Sequence, residues 1–212
     1  MKKIFLTSTC IFAFCFSLNL TADEEHHQHG HEHGTVSAKA EMPTTLKGSS
    51  LYNSETRWKD QTGKDVSLKD YHGSKVLLTM AYTFCTYTCP LTVAKLKKIE
   101  GELIAKGITN YKIVLASFDS KRDTPVRLTT FMKQKELNPE RWTWLAPKSD
   151  KDVRKLAALI GVAYSKDKAG EYSHSNVITL LSEGGEVIER LEGISSDHKS
   201  LIAKFSGQMN AK

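Results

Sequence analysis

Residues 75–90 read KVLLTMAYTFCTYTCP, an apolar run that leads into two cysteines and a proline. The run is rich in valine and leucine, which predicts a buried central strand from Lys75 to Tyr82. Pro90 is tolerated in the first turn of a helix, where a missing amide hydrogen costs little. The stretch therefore predicts a strand, a loop that carries Cys85, and a helix with Cys89 at its start.

Strands and helices alternate on both sides of this stretch. Before the central strand we predict an extended segment 51–59, a turn 61–64 and a short extended segment 65–68. After the cysteines we predict a helix that stops near Gly107, with an apolar face formed by Leu91, Ala94, Leu96, Ile99 and Leu103, then a strand 111–117 and helices 124–136 and 151–160. The domain ends with strands 176–182 and 186–191, joined by the turn Glu183-Gly184-Gly185, and a helix 196–205. A β-α-β-α order predicts parallel strand pairing. The pattern predicts an α/β, thioredoxin-like fold: a mixed central sheet flanked by helices, with a C-terminal β-hairpin and helix.

The first 22 residues differ from the rest of the chain. Lys2 and Lys3 precede an apolar stretch, residues 4–20, and a polar run follows Ala22, which is typical of a secretory signal. The apolar stretch is also close to the shortest that crosses a bilayer, so an uncleaved anchor is the alternative. We expect a bacterial protein in the periplasm or on the outer face of the cytoplasmic membrane, associated with the membrane through residues 4–20 if the signal is retained.

Residues 23–50 contain almost no large apolar side chains, which predicts a disordered linker. Five histidines crowd into this segment: His26, His27, His29, His31 and His33. They are a solvated spacer or a weak auxiliary site, since flexible imidazoles at this density bind copper, zinc or nickel weakly. The folded domain is predicted at 51–206 and a flexible tail at 207–212.

The composition is that of a soluble globular protein, with 40% apolar and 25% charged residues among 212. Loss of Lys2 and Lys3 with the signal would lower the net charge from +6 to about +4. The lysines are scattered among acidic residues without a basic face. We therefore expect no nucleic-acid partner.

Two thiols at a helix start can be a disulfide, a redox pair or a metal clamp. The unpaired amides and the dipole of the helix favour thiolate at both Cys85 and Cys89, and thiolate is the form that binds metal or attacks disulfides. Three intervening residues let both sulfurs reach one ion, and a soft thiolate pair prefers Cu(I), with zinc as the main competitor. His174, predicted in a loop just before strand 176–182, would be a third ligand and would let the site hold Cu(II).

Other polar residues around the predicted strand ends have simpler interpretations. Asp123 or Thr124 can cap the helix that contains Pro125, and Arg122 can pair with either nearby acid. Asp119, at the carboxyl end of its strand, is the one candidate here for orienting a metal ligand or tuning a thiolate. His72 and His198 are interpreted as surface residues.

Five motifs follow one another within residues 51–205: Cys85-x-x-x-Cys89-Pro90, Asp119-x-x-Arg122-Asp123-Thr124-Pro125, Trp144-Leu145, Gly161-Val162 and Tyr172-x-His174-Ser175. In this order, they give the chain its resemblance to the Sco/SenC family of thioredoxin-fold copper proteins, which take part in cytochrome c oxidase assembly. The resemblance implies that Cys85, Cys89 and His174 bind a copper ion, Cu(I) or Cu(II). It also implies delivery of copper to, or reduction of the thiols of, the dinuclear copper site of oxidase subunit II.

The segment between the cysteines departs from the family pattern. Family members commonly have Cys-Pro-Asp-x-Cys, whereas residues 86–88 of this chain are Thr-Tyr-Thr. Losing a negative charge beside the sulfurs changes thiolate pKa and metal affinity. The ligands are intact, so copper binding is still expected, while the client protein is left open.

Two functions follow from the sequence. The first is a copper chaperone, a binding protein rather than an enzyme, whose partner is cytochrome c oxidase subunit II or another exported copper protein. The second is a thiol/disulfide oxidoreductase in which Cys85 and Cys89 are the redox pair and His174 is not needed. General thioredoxins space their cysteines by two residues rather than three, which favours the metal. A thiol peroxidase has only fold analogy behind it.

Overall fold

The structure, a computed structural model, describes residues 46–205. The predicted signal, the five clustered histidines and the predicted tail lie outside the described residues. Within residues 46–205, no helix is long and apolar enough to span a membrane.

Nine strands and four α-helices make up the described region. The strands are β1 Trp58–Lys59, β2 Asp65–Val66, β3 Lys75–Ala81, β4 Tyr111–Ser117, β5 Trp142–Pro147, β6 Tyr164–Lys166, β7 Tyr172–His174, β8 Val177–Leu181 and β9 Val187–Glu192; the helices are α1 Thr88–Ala105, α2 Pro125–Gln134, α3 Asp150–Ile160 and α4 Lys199–Phe205. Short 3-10 helices cover Leu51–Asn53 and Leu68–Tyr71.

Seven of the strands form one mixed sheet in the order β2-β1-β5-β4-β3-β8-β9. Strands β3, β4 and β5 are parallel, and the remaining neighbours are antiparallel. β3 lies between β4 and β8, and every residue of β3 after Lys75 is buried, as its apolar sequence predicts. The predicted thioredoxin-like fold, with its C-terminal hairpin and helix, is confirmed.

Several parts of the chain differ from the predicted elements, among them the short strands β6 and β7, which the sequence did not indicate. Residues 51–53 form a 3-10 helix rather than an extended segment, because the Ser50 hydroxyl accepts a hydrogen bond from the Tyr52 amide and caps this turn. Strand β5 was not predicted. Its two tryptophans, Trp142 and Trp144, are fully buried, and the strand pairs with both β4 and β1.

The buried face of α1 is also displaced from the predicted one. Leu96, Ile99 and Leu103 are fully buried as predicted, whereas Leu91 is 43% exposed. Ala94 is exposed as well. The face that meets the core continues toward the N-terminus through Val93 and Cys89, since residues three and four apart share one side of a helix.

The prediction that His198 is a surface residue is wrong. Its side chain is only 8% exposed, and its Nε2 lies 2.9 Å from a carboxylate oxygen of Glu102 on α1. This contact joins the segment before α4 to α1. His72 is half-buried at the end of the second 3-10 helix.

The two ends of the parallel strands carry different parts of the chain. The loops after β3 and β4 meet at the edge where the parallel strands end, which we call the carboxyl edge, and β8 begins there because it is antiparallel to β3. At the opposite, amino edge, the Leu51 amide donates to the Gly185 carbonyl in the β8–β9 turn, and the Lys75 ammonium donates to carbonyls at the end of α4. The carboxyl edge carries all three predicted copper ligands.

Candidate metal centre

Both cysteines lie where β3 gives way to α1. Cys85 is half-buried in the loop, and Cys89 is fully buried in the first turn of the helix. The Cys89 amide donates to the Cys85 Sγ at 3.3 Å, and the Thr88 hydroxyl lies 3.2 Å from the same sulfur. The two thiols are free, and the helix start aims its polar groups at Cys85.

The two thiols have opposite pKa shifts. Burial acts to raise the pKa of Cys85, but hydrogen bonds from Thr88 and from the Cys89 amide outweigh it and lower the pKa overall. Burial strongly raises the pKa of Cys89, although the Tyr82 amide donates to its Sγ at 3.5 Å. The expectation that the helix favours thiolate at both cysteines is therefore confirmed for Cys85 and wrong for Cys89, because desolvation outweighs the helix start there.

His174 is the last residue of β7, rather than part of a loop as predicted. Its Nε2 lies 3.8 Å from the Cys89 Sγ, while its Nδ1 lies 3.1 Å from the Ser175 carbonyl oxygen. A carbonyl only accepts, so Nδ1 carries the proton and the Nε2 lone pair faces the sulfur. Burial lowers the pKa of His174, which keeps the ring neutral and available as a ligand.

The Sγ atoms of Cys85 and Cys89 and a ring nitrogen of His174 all lie within 4.8 Å of one another. Two ligand atoms at 2.0–2.3 Å from one ion, the usual range for imidazole and thiolate, lie at most about 4.6 Å apart. A small inward shift would therefore let all three bind one ion. Two sulfurs and one imidazole form a soft donor set of the kind that suits copper and zinc.

An aromatic cluster packs against the imidazole, and no sequence pattern indicated it. The buried ring of Phe118, which follows β4, lies 4.8 Å from the His174 ring and 5.9 Å from that of Tyr172. The Tyr82 ring packs edge-on against Tyr172 at 5.1 Å. These residues come from three distant parts of the chain, so only the fold brings them together.

Asp119 is fully buried and directly follows Phe118, the residue whose ring contacts His174. Its carboxylate accepts hydrogen bonds from the backbone amides of Lys121 and Arg122 and from the Arg122 Nε. Burial acts to raise the pKa of Asp119, but these donors lower it overall, so it is a carboxylate. Among the described residues, no hydrogen bond joins Asp119 directly to Cys85, Cys89 or His174.

The neighbouring acid, Asp123, has a separate set of partners. It accepts hydrogen bonds from the amide and hydroxyl of Thr83 and from the hydroxyl of Ser117, and it does not pair with Arg122. The side chain of Thr124, not Asp123, caps α2 by accepting from the Arg127 amide. Asp123 thus ties the cysteine loop to the end of β4.

Large apolar side chains are exposed beside the thiols. Tyr87, between the two cysteines, is 76% exposed, and Phe84, directly before Cys85, is 38% exposed. Leu91 lies on the following turn of α1. Cys85 and His174 are therefore each partly exposed at this site, Cys85 within an apolar surround, while Cys89 is buried.

Comparison with known proteins gives consistent results. A model of the SCO1/SenC family matches residues 45–210. The chain is 26% identical over 141 residues to the SCO1 protein homolog of Bacillus subtilis (strain 168), which corresponds to 66% of this chain and 72% of that protein.

Two solved structures share the fold. The structure of Arabidopsis thaliana ScoI with copper bound has a TM-score of 0.64 and 24% identity, and the match covers 73% of this chain and 97% of that one. BsSco, a member of the Sco family of cytochrome c oxidase assembly proteins in which a disulfide switch was identified, has a TM-score of 0.63 and 23% identity, over 71% of this chain and 89% of that one.

Proposed function

The chain belongs to the SCO1/SenC family, and on that basis we propose that it binds one copper ion through Cys85, Cys89 and His174. The observation that carries the proposal is the placement of these three ligand atoms within 4.8 Å of one another. Copper is bound in the relative from Arabidopsis thaliana, which has the same fold. In this chain copper is cargo that is taken up and passed on.

We further propose that the protein acts outside the cytoplasm, in cytochrome c oxidase assembly, and delivers copper to the dinuclear site of subunit II or to another exported copper protein. BsSco supports the assembly role, and the signal-like residues 1–22 support export. The half-exposed Cys85 supports transfer by ligand exchange, because an incoming thiolate can reach that side of the ion first. Cys89 and His174 would hold the ion until the second ligand arrives.

The asymmetry of the thiols favours a second candidate function, reduction of a disulfide in the client. Cys85 is half-exposed with a lowered pKa, as an attacking thiol should be, and Cys89 is buried beside it. The Cys85 thiolate would attack one client sulfur and release the other as a thiol. Cys89, having given its proton to that client thiol, would then attack the Cys85 sulfur as a thiolate and break its bond to the first client sulfur. The client thus receives two electrons, and this chain ends as a Cys85–Cys89 disulfide.

Metal titration tests the copper site. The reduced protein should bind one copper tightly, and His174→Ala should weaken binding because one of three ligands is lost. His72→Ala is the matched control, since this histidine is remote from the thiols. Unchanged stoichiometry and affinity in His174→Ala would contradict the three-ligand site. Replacing the five histidines of residues 26–33 should remove only weak additional binding.

Transfer assays separate the two functions. Copper-loaded protein and reduced metal-free protein are each mixed with a reduced and with an oxidised fragment of oxidase subunit II, and copper and free thiols in the fragment are measured. The chaperone function predicts copper transfer to a reduced fragment, whereas the second function predicts thiol formation without copper. If metal-free protein reduced the fragment and no copper moved under either condition, the chaperone proposal would fail.

A further inference from the structure

The hairpin that carries His174 has little backbone support of its own. Strands β6 and β7 have three residues each, and within residues 46–205 they pair only with each other, as a sheet separate from the seven-stranded one. A two-stranded hairpin of this size is marginally stable by itself. Side-chain contacts must therefore fix where the hairpin, and with it His174, lies relative to the thiols.

Arg122 makes such contacts with the tip of the hairpin. Its guanidinium donates to the Gly170 carbonyl at 2.9 Å and to the Glu171 carboxylate at 3.0 Å, while its Nε donates to Asp119. Asp119 is a rigid support, because it is fully buried and is held by two backbone amides. The guanidinium also lies 4.5 Å from the centre of the Phe84 ring, on the cysteine loop. One side chain thus contacts the β4 loop, the hairpin and the cysteine loop.

We propose that Arg122 is a positioning residue that clamps the β6–β7 hairpin to the β4 loop and so holds His174 against Cys89. The planar guanidinium suits this task, since its donors point in fixed directions and can engage a carboxylate and a carbonyl simultaneously. The part of the proposal that concerns copper rests on the proposed function. The part that concerns the hairpin does not.

Tyr82 also attaches the β6–β7 hairpin to the rest of the domain. Its hydroxyl donates to Glu171 at 3.0 Å and accepts from the Tyr172 amide at 3.3 Å. Tyr82 directly follows β3, so it ties the hairpin to the central strand. Loss of the Arg122 contacts should therefore loosen the hairpin without releasing it completely.

Hydrogen exchange of the metal-free protein tests the clamp directly. Arg122→Met should speed exchange of the amides in residues 164–174 by about tenfold or more, because two hydrogen bonds from a charged donor are lost. Arg127→Met is the matched control: Arg127 stacks on the same Phe84 ring at 3.7 Å and donates to Thr83, but it makes no hydrogen bond to the hairpin within the described region. Equal exchange in the two variants would overturn the proposal.

Copper affinity tests the consequence for His174. Removal of a residue that orients a metal ligand typically costs 10–100-fold in affinity, and we expect Arg122→Met to fall in this range. The loss should vanish when Arg122→Met is made in a His174→Ala background, because no imidazole is then left to position. The same loss in both backgrounds would show that Arg122 acts by another route and would overturn the proposal.

A second variant keeps the test open if Arg122→Met does not fold. Glu171→Ala removes the hydrogen bonds that both Arg122 and Tyr82 donate to Glu171, and it leaves Arg122 bound to Asp119 and to the Gly170 carbonyl, so it should change exchange and affinity in the same direction. Unchanged exchange in Glu171→Ala would count against the clamp. Absence of copper binding in the unmodified protein would instead refute the proposed function, and the exchange measurements would still decide the clamp.

Discussion

Replacing Gly185 with alanine should destabilise the domain by about 2–5 kcal/mol. Gly185 lies in the β8–β9 turn with a φ of 86°, and a Cβ there would lie 2.5 Å from two ring carbons of Tyr52 and 2.7 Å from the Ser50 hydroxyl. The left-handed backbone costs an alanine about 1–2 kcal/mol. The collision with a buried ring, which has no free space to move into, adds about 1–3 kcal/mol.

Gly184, the preceding residue, provides the matched control. Its φ is not positive, and a Cβ there would approach only the end of the Glu186 side chain, at 2.8 Å from one carboxylate oxygen. This side chain can rotate away, so Gly184→Ala should change the free energy of unfolding by no more than about 0.5 kcal/mol.

Urea unfolding of the two variants measures the difference. Copper affinity should be the same in both folded variants, because the turn lies at the amino edge, about 20 Å from the thiols along β3. A loss below about 1 kcal/mol in Gly185→Ala, or an equal loss in Gly184→Ala, would show that residues 50–52 do not pack on this turn as described.

Three further predictions concern the ligands and their support. Iodoacetamide should modify Cys85 well before Cys89, because Cys85 is half-exposed with a lowered pKa and Cys89 is buried with a raised one; equal rates by peptide mass spectrometry would contradict this. Burial lowers the pKa of His174 in the folded protein, so the unfolded chain takes up this proton first and the free energy of unfolding should fall as the pH drops below about 6.5. His174→Ala should lose that part of the pH slope, and an unchanged slope in urea titrations would argue against a buried neutral ring. Phe118→Ala should cost about 3–5 kcal/mol and shift the NMR signals of the His174 ring, and a loss below about 1 kcal/mol would mean that the aromatic cluster is not packed as described.

The parts of the fold with strong local signals were predictable from the sequence. The apolar run 75–82 indicates strand β3, and Thr124 with Pro125 indicates the start of α2. The two glycines 184 and 185 indicate the turn between β8 and β9. Each of these signals lies within the element itself or next to it. Strand β5 lacked such a signal, because its six residues end in Pro147 and its strand character comes from pairing with β4 and β1. Strands β6 and β7 are too short and polar to show the alternation of apolar and polar residues that marks a strand.

The candidate site was predictable in its residues but not in its energetics. Pro90 indicated a helix start, and the Thr88 hydroxyl and the Cys89 amide at that start do lower the pKa of Cys85 against the effect of burial. The opposite shift at Cys89 depends on how deeply the fold buries that sulfur, and no local pattern shows this. The contact of Arg122 with Gly170 spans 48 residues, so the motif around Arg122 gave only its local acidic partners.

The position of the domain's two ends at the amino edge has a practical consequence. Residues 46–51 join the domain beside the β8–β9 turn, and α4 ends beside the start of β3, so both points of attachment lie on the side of the sheet away from the thiols. A fluorophore, a surface linkage or a membrane tether attached through either end would leave Cys85 facing outward. Such an attachment would leave the carboxyl edge accessible to a second protein.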